Sequence, residues 1–122
     1  MKILADILRE PGCGGGIIAG DFNAICPEDD GLIGKDKLVD PWIVMHGRAD
    51  PDGATWSAGV GRRDSWQGAN RLDKVAMTPG LGAEEMEVVR PGPIEAPGPD
   101  EKFFCIPWSD HCGLRCTFTI DI

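Results

Sequence analysis

Residues 15–23 read Gly-Gly-Ile-Ile-Ala-Gly-Asp-Phe-Asn, a short apolar run that ends abruptly in polar side chains. The apolar residues 17–19 predict a short strand that is buried on both faces of a sheet. Asp21 and Asn23 follow this strand directly. Since functional side chains are often carried by the segments that leave a rigid sheet, this stretch predicts a sheet-based fold with a candidate site at the end of the strand.

Composition limits the size and class of the fold. The chain has 122 residues, which is the length of one small domain. Its 17 glycines and 10 prolines predict many turns, short strands and little helix. The formal net charge of −8 provides no basic surface for nucleic acid. A bound divalent cation reverses the local sign of its carboxylate ligands, so the acidity still allows a metal-dependent site that acts on phosphate.

The cysteines and the first residues bear on the compartment of the protein. Five cysteines at uneven spacing suit reduced thiols, and they lack the CxxC pair of common zinc sites. The N-terminal segment lacks the apolar stretch of a signal peptide, and no run approaches the ~20 apolar residues of a membrane span. We therefore expect an intracellular protein, nuclear or cytoplasmic, without a membrane span.

The remaining sequence predicts a small mixed α/β domain dominated by strands. Apolar residues at helical spacing within residues 3–8 predict a short helix. Within the apolar residues 38–45, Pro41 either starts a helical turn or interrupts a strand. Residues 59–70 and the proline-rich residues 91–99 predict loops. Alternation of apolar and polar residues between turn signals predicts strands over residues 54–57, 71–77, 85–89 and 113–122.

Three polar patches carry residue types that suit phosphoryl chemistry. They are Asp21 with Asn23, residues 71–73 (Arg-Leu-Asp) and residues 109–111 (Ser-Asp-His). A hard divalent cation prefers oxygen ligands, and a carboxylate can orient or deprotonate an attacking water. An imidazole held by a second carboxylate can stabilise charge on phosphate oxygens. Each patch alone also fits an ordinary structural alternative, respectively a turn, an exposed ion pair and a surface histidine.

The order of these patches resembles that of a known superfamily. IIAGDFN, VDPW, ATWS, RLDKV and PWSDHCGLRCTFTI follow one another as in the endonuclease/exonuclease/phosphatase superfamily, from residue 17 to the C-terminus. The resemblance is closest to the C-terminal half of tyrosyl-DNA phosphodiesterase 2-like proteins. It implies an α/β (α+β) fold, the C-terminal half of a two-sheet sandwich of the DNase I-like type with mostly antiparallel strands and short helices. It also implies a DNA-repair hydrolase that cleaves a phosphodiester with Mg2+ or Mn2+ and takes 5′-phosphotyrosyl DNA as substrate.

The resemblance assigns catalytic roles to four residues and a metal-site role to a fifth. Asp21 matches the aspartate that positions or deprotonates the attacking water, and Asn23 matches the asparagine that contacts the scissile phosphate. Asp73 matches the carboxylate that holds the catalytic histidine. His111 matches that histidine, which stabilises the pentacovalent phosphate. Asp110 matches the aspartate near the metal and the phosphate.

Four further residues are implied on the substrate side of the site. Thr55 and Trp56 match a substrate-side strand, where the tryptophan ring could stack on a base or another ring. Arg71 and Ser109 flank the carboxylate and the histidine in their motifs and are expected to bind substrate. The partner implied by the resemblance is a phosphodiester, with DNA ends as one such substrate.

The same resemblance implies a domain about twice this length, of which residues 1–122 form a single partial domain. In the family the N-terminal half supplies an asparagine and the glutamate that is the chief metal ligand, within a Gln-Glu motif that this sequence lacks. We therefore expect an incomplete metal site and a weak or inactive isolated chain. One sheet without its partner exposes an apolar face, which predicts self-association or pairing with the missing half. The alternative function is a non-catalytic fragment or interaction module that keeps the fold.

Overall fold

Short helices and antiparallel strands alternate along the chain in the computed structural model, which describes residues 1–56 and 70–120. The α-helices are α1 (Lys2–Ile7), α2 (Leu32–Lys35) and α3 (Pro41–His46). The strands are β1 (Ile17–Asp21), β2 (Asp73–Met77), β3 (Leu81–Val89), β4 (Pro93–Pro97), β5 (Phe103–Pro107) and β6 (Gly113–Ile120). Short 3-10 helices occupy Pro27–Gly31, Pro51–Gly53 and Pro99–Glu101. None of the helices in these two ranges is long and apolar enough to cross a bilayer.

The strands pair as β1 with β2, β3 with β6 and β4 with β5, and all three pairs are antiparallel. In the first pair, Ile17 lies opposite Met77 and Asp21 lies opposite Asp73. The β3–β6 ladder contains a bulge between Ala83 and Glu85. The prediction of a mixed α/β fold with mostly antiparallel strands and short helices is confirmed. The expected loop at residues 59–70 lies almost wholly outside the described residues. Of the expected strand at residues 54–57, residue 57 also lies outside them, and residues 54–56 form only the bridges at Trp56.

Strand β2 separates two small hydrophobic clusters. Neighbouring residues of a strand point to opposite faces, so Ala76 and Val75 contribute to different clusters. Ala76 packs with Ala5 of α1, Ile33 of α2 and Leu38, whereas Val75 packs with Trp42 of α3 and Met86 of β3. With one cluster on each face, β2 is the best-buried strand of the described fold, and it carries Asp73 at its first position.

Strand β1 is less buried than its sequence predicts. Only Ile18 packs against a cluster, while Ile17 on the other face is 42% exposed. The prediction that this strand is buried on both faces was therefore wrong. The uncovered face borders an open groove of about 390 Å³ between the β1–β2 pair and β6, where Ile17 and Ala19 face Leu114 and Phe118. An apolar strand is buried on both faces only if other segments pack against both, and the apolar residues of β1 do not by themselves show that such segments are present.

Residues 91–99 contain a strand where the prolines predicted a loop. Strand β4 pairs with β5 along five residues, from Pro93 opposite Pro107 to Pro97 opposite Phe103. The two prolines of β4 stand at its first and last positions. Proline has no N–H to donate to a neighbouring strand, so in sheets it is confined to positions such as strand starts and edge strands. The expected loop is therefore wrong for residues 93–97, because the spacing between these prolines leaves room for a short strand.

Helix α3 begins at a capped position, which decides between the two alternatives for Pro41. A carboxylate oxygen of Asp40 accepts a hydrogen bond from the backbone N–H of Ile43 at 3.4 Å, and Pro41 occupies the first turn. Proline is favoured there because its missing N–H would be unpaired in any helix and its fixed φ suits the helix. Asp40 also binds the guanidinium of Arg71 through two hydrogen bonds of 3.0 and 2.6 Å. The helix start is thereby tied to the residues that precede β2.

Candidate active site

The imidazole of His111 and the carboxylate of Asp73 form the centre of the candidate site. Asp73 is the first residue of β2, and His111 lies in the segment between β5 and β6. Nδ1 of His111 lies 2.7 Å from Oδ2 of Asp73, and both side chains are partly buried. This hydrogen bond raises the pKa of His111, burial opposes the rise, and the negative charges of Asp73, Asp21 and Asp110 add to it.

Asp21 stands across the β1–β2 ladder from Asp73, with an exposed side chain. Its Oδ1 accepts a hydrogen bond from the backbone N–H of Asn23 at 2.8 Å. Asn23 has φ of 46°, a left-handed conformation that asparagine tolerates better than most residues. The chain therefore turns immediately after β1, and this local turn leaves both side chains at the rim of the sheet.

The segment that carries His111 is fixed by a hydrogen bond to Ser109 and by a backbone bridge to Trp56. The backbone N–H of His111 donates to the hydroxyl of Ser109 at 3.0 Å, and the intervening Asp110 is exposed. Trp56 forms a backbone bridge with His111 on one side and with Asn70 on the other. Trp56 is partly exposed, and its backbone lies beside that of His111.

Two residues expected to bind substrate have structural partners instead. Thr55 is fully buried, and its hydroxyl accepts a hydrogen bond from the backbone N–H of Asp73 at 2.9 Å. The guanidinium of Arg71 is directed to Asp40, and these two side chains are 18% and 8% exposed. Both side chains are engaged with other parts of the chain in this structure, and their predicted roles in substrate binding stay predictions. The Asp40–Arg71 ion pair had no signal in the sequence, since 31 residues separate the two.

The structure thus gathers most of the predicted residues at one edge of the β1–β2 pair. Asp73 and His111 are in direct contact, and Asp21 and Asp110 are near enough to influence the imidazole electrostatically. The groove described above begins at this edge, because Gly20 and Asp73 belong to its lining. The edge combines three acidic side chains, one imidazole and an adjoining apolar groove.

The residues of this edge do not by themselves make a metal site. Within residues 1–56 and 70–120, no group of three or more His, Cys, Asp or Glu side chains is placed to hold one ion. Asp21 and Asp110 offer the hard oxygen ligands that Mg2+ prefers, but an all-protein site needs more of them at one point. The Mg2+ or Mn2+ implied by the resemblance does not fit the described side chains alone, and no catalytic step through a cation follows from them.

Comparison with known proteins places the chain in a family. The model of the Endonuclease/Exonuclease/phosphatase family matches residues 3–111, and the chain belongs to that family. No curated protein matches the chain. The superfamily expected from the sequence is therefore confirmed at the level of the family.

Two crystal structures show the same fold. One is an endonuclease/exonuclease/phosphatase family protein from Bacteroides thetaiotaomicron, with 16% identity and a TM-score of 0.65 over 98% of this chain and 42% of that one. The other is an endonuclease/exonuclease/phosphatase from Beutenbergia cavernae, with 22% identity and a TM-score of 0.54 over 95% of this chain and 30% of that one. This chain spans less than half the length of either structure.

Proposed function

We propose that this chain contributes His111, and the carboxylates around it, to a site that hydrolyses a phosphodiester. The observation that carries the proposal is the 2.7 Å hydrogen bond between His111 and Asp73, with the carboxylate of Asp21 across the strand pair. Family membership supports a phosphoesterase-type reaction. The proposal assigns the catalytic work of the described residues to Asp21, Asn23, Asp73 and His111, with Asp110 beside them.

The chemistry of the pair follows from its hydrogen bond. An ionised carboxylate only accepts hydrogen bonds, so the proton between the two side chains resides on Nδ1 of His111. The other ring nitrogen, Nε2, is then the one that can meet a phosphate oxygen. Protonated imidazole is stabilised by Asp73, so it can donate a hydrogen bond to the negative charge that develops on the phosphate. Asp21 is proposed to orient the attacking water from the neighbouring strand.

The proposed substrate class is a small phosphodiester or the end of a nucleic acid. A net charge of −8 opposes binding along a duplex, where affinity depends on neutralising many phosphates. Among such substrates, 5′-phosphotyrosyl DNA is proposed from the resemblance of the sequence motifs alone. Trp56 is partly exposed and its backbone bridges to that of His111, so its ring is proposed to stack on an aromatic or base moiety next to the phosphate.

Hydrolysis of bis-p-nitrophenyl phosphate tests the proposal, with Mg2+, with Mn2+ and with EDTA. Because the described side chains do not complete a metal site, we expect the isolated chain to hydrolyse it only weakly or not at all. Any cation-dependent activity that the chain does show should be lost in Asp21→Asn and in His111→Ala. His46→Ala serves as the control, since His46 contacts the backbone oxygen of Met86 rather than the site.

Binding is measured alongside hydrolysis, so that a weak reaction does not leave the question open. Amide NMR spectra are recorded while bis-p-nitrophenyl phosphate is added at millimolar concentration. We expect shifts at Asp21, Asp73 and His111, and loss of these shifts in His111→Ala but not in His46→Ala. Absence of any shift at these residues would contradict a phosphate site at this edge.

The exposed β4–β5 hairpin favours the alternative, an interaction module that keeps the fold. Phe103 is 69% exposed and Trp108 is 57% exposed, and Phe104 and Ile106 are also exposed. Apolar side chains collected on one exposed hairpin commonly mark a contact surface. The alternative predicts self-association in sedimentation velocity that is weakened by Phe104→Ser, whereas a monomer at all accessible concentrations would remove its support.

A further inference from the structure

Thr55 contacts both chain segments that form the Asp73–His111 pair. Its hydroxyl accepts a hydrogen bond from the backbone N–H of Asp73 at 2.9 Å. Its carbonyl oxygen accepts one from the backbone N–H of Cys112, the residue after His111, at 2.6 Å. The side chain is fully buried, so water cannot replace the hydroxyl at the first of these bonds.

The hydroxyl of Thr55 fixes the orientation of one particular peptide group. The carbonyl of Leu72 accepts a hydrogen bond from the backbone N–H of Phe22 at 2.9 Å, whereas the N–H of Asp73 points to Thr55. In a trans peptide these two groups lie on opposite sides, so the peptide between Leu72 and Asp73 is held from both directions. Rotation of this peptide would change the direction of the Asp73 side chain.

Trp56, the residue after Thr55, fixes the backbone of His111. Trp56 forms backbone bridges with His111 and with Asn70, and its N–H donates to the carbonyl of Asn70 at 3.0 Å. Residues 55 and 56 therefore connect the segment before β2 to the segment before β6. A hydrogen bond of 2.7 Å tolerates little displacement of either partner, so its geometry depends on what holds both backbones.

We infer that Thr55 is a positioning residue that sets the geometry of the Asp73–His111 pair through the peptide before Asp73. The catalytic meaning of this role rests on the proposed function, but the positioning itself does not. The role also accounts for a buried threonine at a place where the sequence suggested a substrate contact. Its side chain acts on the carboxylate through the backbone and never reaches the ligand.

The test compares three variants by NMR of the imidazole. Thr55→Val keeps the shape of the side chain and removes the hydroxyl, whereas Thr55→Ser keeps the hydroxyl. Thr78→Val is the matched control, since Thr78 is also buried and its hydroxyl also accepts one backbone hydrogen bond, from Gly16 at 2.9 Å, at the other end of β2. The readout is the resonance of the Nδ1 proton that His111 shares with Asp73.

We expect Thr55→Val to lose this resonance or move it upfield, while Thr55→Ser and Thr78→Val retain it. A folded Thr55→Val with an unchanged resonance would overturn the inference, and so would an equal effect of Thr78→Val. Amide exchange in the unaltered chain provides a measurement that does not depend on a variant folding. The Asp73 amide should exchange as slowly as the paired amides of β1 and β2, and fast exchange would overturn the inference as well. None of these measurements requires hydrolysis, so a failed phosphodiesterase assay does not bear on them.

Discussion

The Nδ1 atom of His111 lies 2.7 Å from a carboxylate oxygen of Asp73, although 38 residues separate the two along the chain. The contact joins the start of β2 to the segment that precedes β6, so it depends on the packing of both. It also couples the charge of the imidazole to its surroundings, which makes it measurable without any substrate.

Asp73→Asn is expected to lower the pKa of His111 towards its ordinary value near 6.5, because the substitution removes the carboxylate that favours the imidazolium. Titration of the ring protons of His111 by NMR provides the measurement. Asp6→Asn is the control, since Asp6 pairs with Lys2 on α1 and does not contribute to the shift at His111. An equal pKa of His111 in the unaltered chain and in Asp73→Asn would refute the electrostatic coupling.

The same pair predicts how the free energy of unfolding depends on pH. The folded-state pKa of His111 is raised above its unfolded value, so the histidine binds its proton more tightly in the folded chain. The resulting stabilisation is fully present below the unfolded value and is lost as the pH rises through the folded value. Urea unfolding at a series of pH values should therefore show the advantage of the unaltered chain over Asp73→Asn near pH 6 and its decline at higher pH. A difference that grows with rising pH would contradict the prediction.

Asp40→Ala is expected to destabilise the fold by about 2–4 kcal/mol, because it removes a helix cap and leaves the partly buried Arg71 without its carboxylate. Asp40→Ser keeps a capping hydroxyl and should recover about 1 kcal/mol of that loss. Chemical denaturation gives both free energies. Glu87→Gln, which breaks the exposed pair with Arg115, is the control and should cost less than about 1 kcal/mol.

Gly53→Ala and Gly34→Ala should change stability in opposite directions. A Cβ atom on Gly53 would lie 2.5 Å from Nε1 of the buried Trp42, so the ring would have to move at a cost of about 1–3 kcal/mol. A Cβ on Gly34, within α2, would meet no atom within 4 Å, so alanine should stabilise the helix by about 0.5–1 kcal/mol. Thermal unfolding of the two variants compares them directly, and equal melting temperatures would show that the Trp42 site is loosely packed.

The five cysteines should divide into two groups when they react with a thiol reagent under native conditions. Burial raises the pKa of Cys112 and of Cys116, which lowers the fraction of reactive thiolate at both. The exposed group consists of Cys13, Cys26 and Cys105. We expect the exposed thiols to react about tenfold faster or more, as measured by mass spectrometry at successive times. Rapid modification of Cys112 would indicate that the segment after His111 opens readily.

Several parts of the fold could be predicted because their signals are local. The alternation of GLRCTFTI predicted β6, and the start of a helical turn at Pro41 was one of the two alternatives that its sequence allowed. Expectations failed where burial or pairing decided the outcome. The open face of β1 and the pairing of β4 with β5 both depend on which other segments are present to contact them.

The candidate site divides in the same way. Asp21, Asn23, Asp73, Asp110 and His111 were proposed from residue type, order and resemblance, and the structure brings Asp73 into contact with His111. The contacts of Thr55 and Arg71 could not be inferred from sequence. Nothing near them in the chain indicates that the Thr55 hydroxyl is buried against the backbone N–H of Asp73 or that Arg71 forms an ion pair with Asp40.

The sequence by itself determined which residue types suited to phosphate chemistry are present, in what order they occur, and that strands β1, β2 and β6 form. Only the tertiary structure decided that the imidazole of His111 meets the carboxylate of Asp73, that the buried hydroxyl of Thr55 accepts a hydrogen bond from the Asp73 backbone, and that one face of β1 stays open. The physical reason is that periodicity and turn residues act over a few positions of the chain. Contacts between distant residues depend instead on strand register and on which surfaces pack together.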